Sequence, residues 1–233
     1  MTNQFVFDPP ATVAVPVAGS AAQFPIRRIF CVGRNYSDHV REMGGDPSDT
    51  PPVFFTKPAD AVVRVDDKGT TGVAYPPGTD SLHHEVELVV ALKSGGSHIP
   101  EADALSHVYG YAVGVDMTRR DIQKRAAEAG QPWDMAKGFD QSAPLGPIQP
   151  MPGQDMPKGG ITLSVDGELR QSSDLDHMIW KLPPIISRLS ALIHLEPGDL
   201  IYTGTPDGVG PVTRGQTVKA AIDGLPPISF DIT

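Results

Sequence analysis

The 233-residue chain carries 19 Lys and Arg against 28 Asp and Glu, a formal charge of −9, and 39% of its residues are hydrophobic. This is the composition of a folded protein with one sizeable domain or two small ones; it excludes a disordered chain and argues against a general nucleic-acid or acidic-membrane surface, so an anionic ligand needs a local cluster of Lys and Arg. The 24 Gly and 24 Pro point to a turn-rich β protein rather than a helical bundle, and the single Cys31 excludes an intrachain disulfide.

Residues 1–24 are rich in Ala, Val and Pro without helical periodicity and read as an extended arm or short strands packed on a main body. Met1 to Pro10 has no basic residue, and apolar runs such as Leu88 to Leu92 fall far short of the ~18 residues that span a membrane. A soluble cytoplasmic protein without membrane or nucleic-acid partners is expected. A short strand over Arg27–Gly33 runs through Gly-Arg-Asn-Tyr into a short helix with Asn35 or Ser37 as N-cap, closed by Gly44-Gly45. On it His39 and Glu42 share a face at i, i+3, the arrangement of a carboxylate-oriented general base, or of an exposed helix pair of little consequence. The polar stretch Gly44–Pro52 has the composition of a mobile loop, so the helix before it could act as a lid.

The strand Val53–Lys57 ends on a lysine that reads as a solvated edge charge. A further short strand over Ala61–Val65 and a turn at Tyr75–Gly78 lead to His83–Val90. Read as one continuous strand, this stretch places Glu85 and Glu87 on one face and Val86, Leu88 and Val90 on the other. Two carboxylates on one patch repel, and a hard divalent cation such as Mg²⁺ or Mn²⁺ is their natural partner; the plainer alternative is a solvated acidic face. The strand Val108–Val115 then delivers Asp116 to its end. Thr118 is placed as N-cap of a helix closed by Gly130 and Pro132, with Arg120 and Gln123 on one face near Asp116. Trp133–Asp140 reads as a loop in which Lys137, among small and apolar neighbours, calls for an anionic partner.

Asp166-Gly167 is a two-residue hairpin turn within Thr162–Gln171, and the design repeats around Asp223-Gly224. Between them Pro183 opens a helix whose core stripe is Ile185, Ile186, Leu189, Leu192 and Ile193. A strand over Leu200–Tyr202 ends in Thr203-Gly204-Thr205-Pro206, where backbone N–H groups and hydroxyls could bind a carboxylate, or which is a tight structural loop.

Gly33-Arg34-Asn35-Tyr36 with His39 and Glu42, His84–Leu88, Asp116–Asp121 and Thr203–Pro206, in this order, resemble the fumarylacetoacetate hydrolase family, most closely its small acylpyruvate and fumarylpyruvate hydrolases. The resemblance implies an α+β, mostly β fold, a mixed β-sandwich or roll with a few short helices and a lid helix. It also implies a catalytic domain over residues 27–233 with an N-terminal arm over 1–26, usually in a homodimer. It makes Glu85, Glu87 and Asp116 ligands of Mg²⁺ or Mn²⁺, and His39 and Glu42 a water-activating dyad. Arg120, Gln123 and Lys137 then stabilise an oxyanion, and Thr205 contacts a substrate carboxylate. Three carboxylates around a divalent cation leave about one negative charge, for which Arg34, Lys57, Arg120 and Lys137 are the compensating cations. The reaction implied is hydrolysis of a C–C bond in an acylpyruvate, with fumarylpyruvate giving fumarate and pyruvate. Two alternatives stand beside it: oxaloacetate decarboxylation or isomerisation of a 2-oxo diacid through the same enolate chemistry, and a non-catalytic cation-binding β module.

Overall fold

The computed structural model describes residues 5–42, 52–68 and 71–233, with the Glu42 side chain excepted. Strands β1 (Ala14–Pro16) and β2 (Gln23–Pro25) form a small antiparallel hairpin that buries Val15 and Phe24. β3 (Arg28–Gly33) leads through Arg34, in the left-handed region at φ 62°, to α1 (Ser37–Glu42). Asn35 does not cap this helix. Its amide donates to the carbonyls of Trp180 and Thr203 and its Oδ1 accepts from Trp180 N, so it ties three segments together. The expected helix stop at Gly44-Gly45 and nearly all of the loop to Pro52 lie outside the described residues.

β4 (Val53–Lys57), β5 (Val62–Arg64), β6 (Thr71–Val73) and β7 (Leu82–His84) follow, and then β8 (Val86–Leu92). Glu85 falls between β7 and β8, so the continuous strand read from the sequence is in fact broken at its first carboxylate. β7 pairs with β10 (Thr118–Arg119) and β16 (Gly210–Val212), whereas β8 enters the main sheet. The kink is held where the Asp116 amide donates to the Glu85 carbonyl at 2.8 Å. Between these strands α2 (Glu101–Ala104) precedes β9 (Val108–Val115), and after β10 come α3 (Arg120–Glu128) and α4 (Asp134–Lys137). Thr118 lies in β10 rather than at a helix cap, and the Trp133–Asp140 loop contains a full helical turn that carries Lys137.

β11 (Ala143–Leu145), β12 (Gln149–Pro150), β13 (Gly160–Val165) and β14 (Glu168–Asp174) lead to α5 (Leu182–Leu192), and the chain closes with β15 (Asp199–Tyr202), β16, β17 (Thr217–Ile222) and β18 (Ile228–Ile232). Asp166 and Gly167 both have positive φ, 51° and 83°, the type I′ turn that fits strand twist. The second hairpin needs a longer connection, Asp223–Pro227. On α5, Leu182, Ile185, Ile186 and Leu189 are buried, but Leu192 is 74% exposed and Ile193 is also exposed, so the core stripe ends a turn earlier than its sequence period suggests.

The main sheet has the strand order β4-β3-β15-β8-β9-β11-β5, with β12 added on β9; the second is β14-β13-β17-β18-β6. β8 is buried on both faces. Val86, Leu88, Val90 and Leu92 join the larger core between the two sheets and α5, while Val89 and Ala91 join a second core beneath the β1–β2 hairpin. Burial on both sides explains the near-continuous apolar run, and it makes Glu87, on the Val89 face, a carboxylate inside a hydrophobic strand. No helix among the described residues is long and apolar enough to cross a membrane.

Candidate active site

The break at Glu85, the start of β8 and the end of β9 bring Glu85, Glu87 and Asp116 together, with one carboxylate oxygen of each within 4.8 Å of the others. All three are buried. Lys137 Nζ, 2% exposed, donates to Glu85 Oε2 and Asp116 Oδ2, each at 2.8 Å, and to Thr118 Oγ1 at 2.7 Å. The Thr118 hydroxyl in turn donates to Glu85 Oε1 at 3.0 Å, which is why it does not cap α3. Arg120 bonds Glu85 with one guanidinium nitrogen and Gln123 Oε1 with another, so the i, i+3 pair read from the sequence does converge on the carboxylates.

Lys57 is no solvated edge charge. It is 3% exposed, its Nζ lies 2.8 Å from Asp116 Oδ1, and it donates to the carbonyls of Met117 and Lys137. It stands behind Asp116, away from the cavity, and anchors the turn that presents Lys137. Three cations thus pair with Glu85 and Asp116 but none with Glu87, and over the six groups the formal charges cancel without a metal. A bound divalent cation brings the cluster to about +2, because Lys57, Arg120 and Lys137, three of the compensating cations named from the sequence, stand against the carboxylates.

The carboxylates are not equivalent. Burial raises the Glu85 carboxyl, but Lys137 and Arg120, with a smaller contribution from His39, more than offset this and hold it below the usual range. Glu87 is pushed well above that range by burial first, then by Asp116 and Glu85, against the lowering effects of Lys137 and the Gly204 amide. Among the described residues its one hydrogen bond is from that amide, 2.7 Å from Oε2. Gly204 has φ 98°, and a Cβ there would sit 2.7 Å from Asn35 Cβ, so only glycine brings this N–H to Glu87. A buried carboxylate short of positive charge, within an all-oxygen donor set, fits Mg²⁺ or Mn²⁺.

Asp116 is fully buried, and beside it Glu85, Glu87, Arg120 and Lys137 of the cluster line a cavity of about 260 Å³. Among its lining are Arg34, His39, Gln123 and Thr205 from the sequence reading, together with Phe55, Trp133 and Lys124. Because Arg120 donates to Gln123 Oε1, the amide is turned with its NH₂ outward, and among the described residues that NH₂ has no partner. The Glu42 side chain, the other half of the expected dyad, lies outside the described residues. His83 is half-buried beside Arg120, and burial followed by that charge pushes its imidazole down to about 4, leaving it neutral near pH 7. Lys124 was not singled out in the sequence because a lysine on an exposed helix face carries no signal; its i+4 spacing from Arg120 is the clue that was there.

A family model described as fumarylacetoacetate (FAA) hydrolase C-terminal matches residues 28–233. The fumarylpyruvate hydrolase of a Ralstonia species is 44% identical over 179 residues, covering 77% of this chain and 91% of that protein. The mitochondrial oxaloacetate tautomerase FAHD1 of Homo sapiens is 43% identical over 209 residues, covering 88% and 91%. Among solved structures, that of the fumarylpyruvate hydrolase from Pseudomonas aeruginosa in complex with Mn²⁺ and pyruvate superposes with a TM-score of 0.96 at 50% identity, covering 99% of each chain.

Proposed function

The chain belongs to the fumarylacetoacetate hydrolase family, and from that premise we propose that it is a metal-dependent hydrolase of C–C bonds in acylpyruvates, with fumarylpyruvate as substrate and fumarate and pyruvate as products. The observation that carries this reading is the buried Glu85, Glu87 and Asp116 cluster, two of whose carboxylates line a cavity shared with His39, Gln123 and Lys137. In it the three carboxylates hold Mn²⁺ or Mg²⁺. The bound cation supplies a Lewis acid for the adjacent carboxylate and 2-oxo oxygens and a sink for the electron pair released on cleavage. The net positive cluster matches an anionic 2-oxo acid.

His39, on α1 at the cavity wall, takes a proton from water, and the hydroxide attacks the C4 carbonyl; the family resemblance assigns Glu42 as the carboxylate of this base. The outward NH₂ of Gln123, with Arg120 beside it, supplies donors where the C4 oxyanion develops, and Lys137, whose three N–H groups are engaged, adds its positive charge. The C3–C4 bond then breaks, its electrons remain on C3, and the proton taken by His39 is available to that carbon. The hydroxyl oxygen leaves in fumarate. The protein acts as a homodimer, a reading that rests on the family.

A second reading, chemistry on oxaloacetate through the same enolate, is favoured by relatives of 42–44% identity named oxaloacetate tautomerases. Rates with fumarylpyruvate, acetylpyruvate and oxaloacetate, each with Mn²⁺ and with chelator, separate the two. Metal-dependent hydrolysis that is faster on fumarylpyruvate is expected; turnover of oxaloacetate alone would replace the first reading by the second. In this reading Arg34 and Lys124, exposed residues of the cavity lining, receive the distal carboxylate, which acetylpyruvate lacks. Lys124→Ala is therefore expected to raise KM about 5- to 10-fold for fumarylpyruvate and leave that for acetylpyruvate unchanged, the size of one exposed ionic contact.

A further inference from the structure

One buried polar network meets the cavity at Thr205 and, apart from that residue, has no part in the chemistry so far described. Gln171, from β14 of the second sheet, is fully buried. Its Oε1 accepts from Val86 N at 3.1 Å and lies 3.0 Å from His84 Nδ1. Its Nε2 donates to the Pro206 carbonyl at 3.0 Å and to Thr205 Oγ1 at 2.8 Å.

The direction of every bond in this network is fixed. A backbone N–H can only donate and a carbonyl can only accept, so Val86 and Pro206 together decide which end of the amide is oxygen. His84 must then carry its proton on Nδ1, because it faces an acceptor. Thr205 Oγ1 must accept from Gln171, which leaves its own hydrogen for another partner. Among the described residues it has none. Thr205 is 3% exposed and lines the cavity, and it follows Gly204, whose amide holds the metal-site carboxylate Glu87.

We infer that Gln171 is a positioning residue that sets the Thr205 hydroxyl as a hydrogen-bond donor to the carboxylate at the 2-oxo acid end of the substrate. This deepens the proposed function and rests on its 2-oxo acid site. A threonine free to rotate offers lone pairs as readily as a proton, and lone pairs repel a carboxylate. The amide removes that choice, so the site selects an acceptor there.

The test is calorimetric titration of oxalate into the Mn²⁺-loaded protein, which needs no turnover. Thr205→Val removes a bond to a charged acceptor and is expected to weaken oxalate about tenfold or more. Gln171→Met, of similar length and without donors, is expected to weaken it about 3- to 10-fold. In the double variant Gln171→Met should cost nothing further, because the hydroxyl it orients is gone. In a Thr205→Ser background, which keeps the hydroxyl, the Gln171→Met loss should return in full, and this arm also serves if the valine variant folds poorly. Equal losses from Gln171→Met in the threonine and valine backgrounds would overturn the inference and mean a structural role only. Absence of oxalate binding by the unaltered Mn²⁺-loaded protein would overturn the 2-oxo acid site itself.

Discussion

His39→Ala is expected to hydrolyse fumarylpyruvate about 10²–10⁴-fold more slowly while binding Mn²⁺ and oxalate with near-unaltered affinity, the size of effect typical of losing a general base. That corresponds to about 3–5 kcal/mol of transition-state stabilisation. The separation follows from where the groups stand. The carboxylates come from β8 and the segments flanking β7 and β9, whereas His39 comes from α1 on the cavity wall. Removing the imidazole leaves the carboxylate cluster intact. Reactions on oxaloacetate that need no attacking water should suffer less in the same variant. Equal losses on both substrates, or lost oxalate binding, would mean that His39 positions substrate instead.

Removing one negative charge from the cluster should have opposite effects on the metal-free protein depending on which carboxylate is changed. Asp116 faces two buried ammonium groups, Lys57 and Lys137, so Asp116→Asn leaves Lys57 short of a counter-charge and Lys137 with Glu85 alone, and is expected to destabilise the fold by about 3–5 kcal/mol in urea unfolding. Glu87 is the carboxylate its surroundings disfavour as an anion. A Gln there keeps an acceptor for the Gly204 amide, so Glu87→Gln is expected to stabilise the metal-free protein near pH 7. Both substitutions should abolish Mn²⁺ binding.

The pH dependence carries the same sign. A carboxyl raised on folding contributes stability that is present below its unfolded pKa and is lost as pH rises through the folded value. Glu87 therefore makes the metal-free fold less stable as pH climbs above the ordinary carboxylate range. Glu85, held low, contributes stability that is lost as pH falls. The difference between the unaltered protein and Glu87→Gln isolates the first slope. A Glu87→Gln protein that is less stable than the unaltered one at pH 7 would contradict this account of the cluster.

Much of the site was legible because its chemistry is local. The alternation through Val86, Glu87 and Leu88 puts polar and apolar side chains on opposite faces in any strand, and Arg120 and Gln123 converge because helix spacing requires it. The Asp166-Gly167 turn was readable for the same reason. Where the sequence misled, a distant partner had outweighed a local rule. Thr118 fits a cap but is drawn to Glu85, 33 positions away, and Lys57 resembles an edge lysine until Asp116 is placed over it. Gln171 was invisible as a functional residue, since its partners His84 and Thr205 are 87 and 34 positions away, and nothing near it in the chain marks it as buried. The break at Glu85 follows from strand pairing on both sides, β7 with β10 and β16 and β8 with β9 and β15, which no window around Glu85 contains.

In the proposed reaction this cluster and its cavity wall add water across a C–C bond. The most direct measurement is turnover of fumarylpyruvate by the Mn²⁺-loaded protein in ¹⁸O-enriched water, followed by mass spectrometry of the fumarate formed. The account predicts one atom of ¹⁸O in a fumarate carboxylate per turnover, with no fumarate formed when chelator is present. Undiminished fumarate formation with chelator present, or a Mn²⁺-loaded protein that leaves fumarylpyruvate intact while interconverting the keto and enol forms of oxaloacetate, would contradict it.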